Sequence, residues 1–221
     1  MRLILIRHGQ TPSNVKGVLD TRLPGPGLTL LGLEQAAALP EALRDERIDA
    51  IYVSDMVRTS ITAAYLSATL DLEPIQRGGI REITSGDLEM LSDRPSVETY
   101  MGAVYSWSQG DLDARIPGGE DGHEFVARYD AVIAEARESG WGTVAFVSHG
   151  AAIRAWASIR GINVPREHII GNPMHNTGVV VAEDTPEGEW IVRTFQGEAL
   201  GGDRVDTTVG GPTGESPATA R

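Results

Sequence analysis

An arginine and a histidine stand side by side at positions 7 and 8, where the apolar run "RLILI" ends and a glycine follows. Two more residues of the same types hold comparable places. Arg58 comes shortly after "DAIYVS", and His149 directly follows "TVAFVS". A guanidinium is permanently charged and offers a planar fork of donors suited to phosphate oxygens. A neutral imidazole is a competent nucleophile near neutral pH. Two guanidiniums and two imidazoles in one pocket would fit a phosphoryl group. The chemistry hangs on whether three separate stretches of chain deliver their ends to one place.

Each of the three stretches reads as a short buried strand: a brief apolar run followed at once by polar residues or glycine. The first covers Arg2 to Ile6. After "DAIYVS", Ser54 or Asp55 is expected to cap a helix in which Ile61, Ala64, Tyr65 and Ala68 share one face. After "TVAFVS", a helix is expected from His149 to Ile159. In parallel α/β sheets, ligands bind at the carboxyl ends of the strands, so three parallel strands would converge Arg7, His8, Arg58 and His149 on one edge. A cation in the first turn of a helix, as Arg58 would be, opposes the helix dipole. An anion bound there would reverse that sign.

Composition narrows the classes. The absence of cysteine excludes disulfides, thiolate metal sites and a cysteine nucleophile, and it fits a reducing compartment. "MRLILI" is too short for a signal-peptide core and no run is long enough to span a bilayer, so a cytoplasmic location is expected. A formal net charge of -12 argues against a nucleic-acid or anionic-membrane surface. It leaves room for a small anionic substrate held by a few arginines in a cleft.

The rest of the chain supplies a scaffold. "GQTPSNVKGVLDTRLPGPG" is dense in turn formers and reads as loop. Thr29 is placed to cap a helix through "LLGLEQAAALPEAL", kinked at Pro40. From Arg77 to Gly118 no clean period emerges, and an insertion of short helices is expected over about 84–118. A helix resumes near Glu120 with Phe125, Tyr129, Val132, Ile133 and Ala136 on its apolar side. "GVVVAED" and "EWIVRTF" read as two strands joined by "TPEGE". The alternation predicts an α/β fold: a three-layer α/β/α sandwich with a mostly parallel central sheet and a helical insertion after the second helix. Residues 1–199 are expected to form one domain, and 200–221, rich in Gly, Thr and Pro, a disordered tail.

In this setting "LIRHGQT", with Asn14 six residues beyond the histidine, resembles the N-terminal signature of the histidine phosphatase superfamily, which includes the cofactor-dependent phosphoglycerate mutases. "SDMVRTSITA" resembles the segment carrying that family's second arginine, "REITSGDLE" the segment with its acid, "PGGED" a further turn, and "VSHGAAIR" the second histidine. The resemblance implies a catalytic set of His8, Arg7, Arg58, His149 and Glu82, with His8 the nucleophile that becomes a phosphohistidine. It implies that Arg7, Arg58, His149 and Gly150 bind the phosphoryl group, with added hydrogen bonds from Gln10, Thr11 and Asn14. Glu82, rather than Asp87 or Glu89, would protonate the leaving oxygen and activate water. Neither a cofactor nor a metal is implied, since the arginines supply the positive charge. The family's habit of pairing also makes a homodimer an expectation.

Departures from the family pattern favour one activity. The stretch from Met90 to Gly119 holds single arginines, Arg94 and Arg115, where the mutases carry an adjacent pair. "RHGQT" replaces the usual "RHGES", and "GDLEM" lacks the tryptophan and second glycine expected after the acid. A histidine acid-type phosphatase acting on a small phosphorylated substrate is the expectation. Mutase-type transfer and a silent phospholigand-binding module are the alternatives.

Overall fold

The structure, a computed structural model, describes residues 1–168 and 172–199. Its centre is a seven-stranded sheet in the order β3-β2-β4-β1-β5-β6-β7, built from β1 (Arg2–Arg7), β2 (Ala50–Val53), β3 (Ile75–Gln76), β4 (Thr143–Ser148), β5 (Val179–Asp184), β6 (Trp190–Phe195) and β7 (Glu198–Ala199). β1, β2, β3 and β4 pair in parallel, while β5, β6 and β7 join as antiparallel neighbours. Five of the seven strands run in one direction, because β6, twice reversed, is parallel to β1 again. The expected mostly parallel sheet is the one observed.

The layers follow from the two-residue period of a strand. On β1, Leu3 and Leu5 face one cluster of buried side chains, with Tyr52, Val144 and Phe146 from the neighbouring strands. Ile4 and Ile6 face the other, with Ile51, Val53, Ala145 and Val147. A strand apolar at every position must be covered on both faces. On the first face lie α4 (Arg94–Ser108), α5 (Gly122–Glu138) and α6 (Gly150–Arg160). On the second lie α2 (Leu30–Ala42) and α3 (Val57–Leu70). This is the three-layer sandwich expected.

Several local expectations hold. Thr29 caps α2 by accepting from the Gly32 backbone N–H at 3.0 Å, and Pro40 lies inside that helix. All five residues expected on the apolar side of α5 are buried. Four expectations are corrected. The stretch after His8 is not all loop: α1 (Pro12–Lys16) forms there, closed by a capping box between Thr11 and Asn14. Neither Ser54 nor Asp55 caps α3, whose N-cap is Met56 with no side-chain bond. The buried face of α3 is Arg58, Thr59, Thr62, Ala63 and Leu66, whereas Ala64, Tyr65 and Ala68 are exposed. The region 84–118 holds a single 3-10 turn at Gly86–Leu88 and one α-helix of 15 residues, α4, rather than a set of short helices, and with α1 counted it follows the third helix. Val97, Tyr100, Met101, Val104 and Trp107 of α4 join the same buried cluster as the sheet. The expected tail at 200–221 lies outside the described residues.

Candidate functional site

β1, β2 and β4 run in register, with Arg7 beside Ser148 and Val53 beside Val147, so their carboxyl ends share one edge. Arg7 and His8 lie where β1 ends, Arg58 in the first turn of α3, and His149 at the N-cap of α6. All four are buried. The His8 and His149 rings meet edge to face with centroids 5.2 Å apart. Arg58 Nε donates to His149 Nδ1 at 3.3 Å, and an Nη of Arg58 donates to the Asp20 carbonyl at 3.1 Å. An Nη of Arg7 donates to the Met174 carbonyl. His8 and Arg58 open onto a small recess whose wall also includes Thr11, Ser13, Asn14, Val18 and Asp20.

Glycines allow the chain to close this tightly. A Cβ on Gly9 would sit 2.6 Å from the Gly32 carbonyl oxygen, so the turn after His8 can lie against the start of α2 only without a side chain. A Cβ on Gly25, where φ is +68°, would come within 2.6 Å of an Arg58 nitrogen. The loop from Leu19 to Gly25 thereby lies directly over the guanidinium. Glu89 pins that loop: it accepts from the Thr21 and Arg22 N–H groups at 2.9 and 3.0 Å.

Hydrogen bonds assign the protons. A carbonyl oxygen only accepts, so the 2.7 Å contact between His8 Nδ1 and Gly9 O places a proton on Nδ1 and leaves Nε2 with its lone pair. A guanidinium only donates, so His149 Nδ1 is an acceptor and its Nε2 donates to Ser54 Oγ at 2.8 Å. Ser54 passes the chain on to Thr59 Oγ1 at 2.9 Å. The Arg58 donor keeps His149 neutral, and the low pKa of His8 does the same for it. Burial, followed by the charges of Arg58 and Arg7, holds the His8 pKa well below its ordinary value. Burial and then Arg58 do the same to His149.

Glu82 is buried against the start of α6. Its Oε1 accepts from the Ile83 and Ala152 N–H groups, both at 2.9 Å, while Oε2 accepts one longer bond from Ala151 at 3.3 Å. Burial raises its pKa, and these donors with Arg58 only partly oppose the rise. Glu82 therefore takes the Ala151 and Ala152 N–H groups in the first turn of α6, and not that of Gly150, the helix's first residue.

The structure brings together Arg7, His8, Thr11, Asn14, Arg58, Glu82, His149 and Gly150 around one strand edge. It does not bring Gln10 into the recess. Gln10 Oε1 accepts from Thr29 Oγ1 at 2.9 Å, which ties it to the cap of α2. Asp87 stands apart from this network and Glu89 serves the loop. Sequence reasoning misses Ser54, Thr59 and Asp20 as site residues, whereas Asn176, with His175 after a strand-like break, reads as a candidate for the rim. Ser54 carries a signal, since it follows a strand that pairs with β4, the strand leading to His149, but its local meaning is that of a cap. Among the described residues no group of three or more His, Cys, Asp or Glu could hold a metal, and no helix is long and apolar enough to cross a membrane.

Comparisons with known proteins bear on the whole arrangement. Residues 3–196 match the model of the histidine phosphatase superfamily, branch 1. A PE-PGRS family protein of Mycobacterium tuberculosis, PE_PGRS11, is 32% identical over 89% of this chain, which spans only 36% of that protein's length. The metal-independent phosphoserine phosphatase of Arabidopsis thaliana is 31% identical over 69% of this chain and 66% of its own. A solved structure of the mycobacterial glucosyl-3-phosphoglycerate phosphatase Rv2419c complexed with VO3 superposes with a TM-score of 0.73, at 25% identity over 89% of this chain and 99% of that one.

Proposed function

Because the chain belongs to the histidine phosphatase superfamily, branch 1, we propose that it is a metal-independent phosphoric monoester hydrolase of the histidine acid type, working through a phosphohistidine on His8. The observation that carries this reading is the tautomer of His8. With Nδ1 committed to the Gly9 carbonyl, the lone pair sits on Nε2, and His8 and Arg58 line one recess.

In the first step Nε2 of His8 attacks phosphorus in line and the bond to the leaving oxygen breaks. That oxygen takes the proton of Glu82, held on Oε2 because Oε1 already accepts two short backbone bonds. Arg7, Arg58 and the Gly150 N–H hold the phosphoryl oxygens and the Asn14 NH2 adds a hydrogen bond, while His149 steadies Arg58 through Nδ1 and Thr11 holds Asn14 Oδ1. In the second step water attacks phosphorus, Glu82 takes its proton, and His8 leaves with its lone pair restored. Inorganic phosphate is the product. The fixed guanidiniums supply the charge a metal would otherwise bring, in keeping with the metal-independent relative in Arabidopsis.

The acid-type assignment rests on two opposite shifts. A His8 pKa held below 6.5 keeps the nucleophile unprotonated on the acid side of neutrality. A Glu82 pKa raised above its ordinary value by burial favours the protonated form that a general acid needs. Phosphatase is favoured over mutase because Arg94 and Arg115 offer no second grip. Arg94 donates to Glu98 at 2.7 Å, and Arg115 is exposed and paired with Glu124 at 2.9 Å. The substrate is a small phosphomonoester. A cytoplasmic setting and the absence of nucleic-acid or membrane partners belong to the same proposal, given a net charge of -12. So does a homodimer, for which the exposed and uncharged face of α3 at Ala64, Tyr65 and Ala68 is the surface two such acidic chains could share.

The test is phosphate release from a panel of phosphomonoesters, with phosphoglycerate mutase activity assayed in parallel, for wild type and His8→Ala. Release that requires His8, with acid-labile phosphate trapped on that residue, is the expected result. Folded protein that binds phosphate without releasing it would turn the reading into a silent binding module.

A further inference from the structure

Asn176 belongs to none of the roles assigned so far, yet it is buried against two of the residues that hold them. Its Nδ2 donates to the His8 carbonyl at 3.1 Å and to Asn14 Oδ1 at 3.2 Å. The next residue, Thr177, is β-branched and has φ at +57°, a region such residues rarely enter. Its N–H donates to the Arg7 and His8 carbonyls at 3.1 and 3.3 Å. The turn at 176–177 is therefore held out of its preferred conformation while fastened to the end of β1. Strain of this kind persists where the surroundings over-determine it.

The contact with Asn14 has a chemical consequence. Asn14 Oδ1 accepts three donors: the Thr11 N–H at 3.0 Å, Thr11 Oγ1 at 3.1 Å and Asn176 Nδ2. A flipped Asn14 would set its NH2 against the Thr11 N–H and the Asn176 NH2, donor against donor. Only one orientation is open. Oδ1 faces Thr11 and Asn176, and the NH2 is left for the recess that Asn14 lines. Among the described residues no acceptor stands against that NH2. A loose carboxamide could instead offer an anion its oxygen, which repels.

We infer that Asn176 is a positioning residue, which locks the Asn14 carboxamide with its NH2 toward the bound phosphoryl group and thereby sets the site's affinity for phosphate oxygens. This rests on the phosphatase reading for its importance, but not for its test. Thr11 lies in the same short segment as Asn14, so its N–H and hydroxyl move together with the carboxamide they hold. Asn176 ties the same oxygen to a separate segment, 162 residues away in the chain.

The experiment is calorimetric titration of the full chain with inorganic phosphate, which needs no turnover. Asn14→Ala and Asn176→Ala are each expected to weaken binding roughly tenfold or more, the worth of one charge-assisted hydrogen bond. The double variant should bind like Asn14→Ala alone, because Asn176 acts through Asn14. A merely structural role would instead multiply the two losses, and that outcome, or wild-type binding by Asn176→Ala, overturns the proposal. Asn176→Asp gives a second reading should the alanine variant not fold. Its ionised carboxylate would turn the Asn14 NH2 away from the recess, so phosphate binding relative to wild type should be lost at neutral pH and regained once the introduced carboxyl group protonates and can donate again. A ratio that does not change with pH counts against the lock. If phosphate binding depends on Asn176 in this way while no ester is hydrolysed, the lock stands and the phosphatase reading falls.

Discussion

At the start of β1 the Arg2 guanidinium donates to Glu46 at 3.0 and 2.7 Å and to Glu183 at 2.5 Å, and it remains about one-third exposed. At the far end of the same sheet Arg58 is 3% exposed, and its partners are an imidazole nitrogen and a backbone carbonyl. The bonded carboxylates raise the pKa of Arg2. Burial lowers that of Arg58, and the more distant Glu82 and Asp20 only soften the effect. A buried charge is expensive unless a counter-charge meets it. One end of the sheet has its counter-charges built in, and the other is left to find one in a ligand. Charge balance, rather than residue type, separates the arginine that holds the fold from the arginine that binds.

The sharpest way to break this contrast is to remove the nucleophile that the unbalanced end serves. His8→Ala should reduce kcat by roughly 10⁴-fold or more while thermal unfolding stays cooperative, because no other group can take over the covalent step. Unchanged turnover would end the mechanism. Arg58→Ala should cost about 3–4 kcal/mol of transition-state stabilisation, read as a fall in kcat/KM. The contrast is sharpened by Arg58→Met, which should lose activity just as badly without lowering the thermal midpoint, since it removes a charge the fold does not neutralise. A marked fall in midpoint would mean that Arg58 is structural after all.

Glu82→Gln comes next. It should slow hydrolysis about 10²-fold for alkyl phosphates and far less for esters with good leaving groups, and a uniform loss would count against an acid role. The stability sign is also defined. Burial raises the folded pKa of Glu82 above 4.5, so the fold favours its protonated form. That contribution is complete below 4.5 and is lost as pH rises through the folded value, so the midpoint of Glu82→Gln should fall less than that of wild type over this rise. The smallest effect belongs to the balanced end. Arg2→Ala breaks partly exposed ion pairs and should lower stability by about 0.5–1 kcal/mol, with activity unchanged, in a denaturant titration.

Legibility along the chain follows from how much each residue's environment is local. Thr29, the α5 stripe and the strand runs are readable because capping and periodic burial are set by near neighbours. The face of α3 misleads for a reason that belongs to the site. Arg58, Thr59 and Thr62 occupy its buried side to serve the sheet edge, so the apolar stripe at Ala64, Tyr65 and Ala68 is displaced to the surface. The helix α4 escapes notice because the exposed Glu98 and Thr99 split its buried residues and tyrosines interrupt its hydropathy, although Tyr100 is buried with its hydroxyl bonded to the Ile83 carbonyl at 3.0 Å. Ser54 reads as a cap because a serine after a strand has that local meaning. Only the histidine on the neighbouring strand gives it another partner.

By itself the sequence determined that Arg7 and His8, Arg58, and His149 follow three short apolar runs, that the runs alternate with helices, and that no thiol chemistry is open to this chain. These are properties of residue order, and order alone carries them. The tertiary structure decided which faces are buried, which nitrogen of each histidine holds its proton, and which way the Asn14 carboxamide points. Those depend on donors and acceptors far apart in the chain, from Gly9 beside His8 to Asn176 against Asn14. A proton or an amide takes its place from what stands across from it in space.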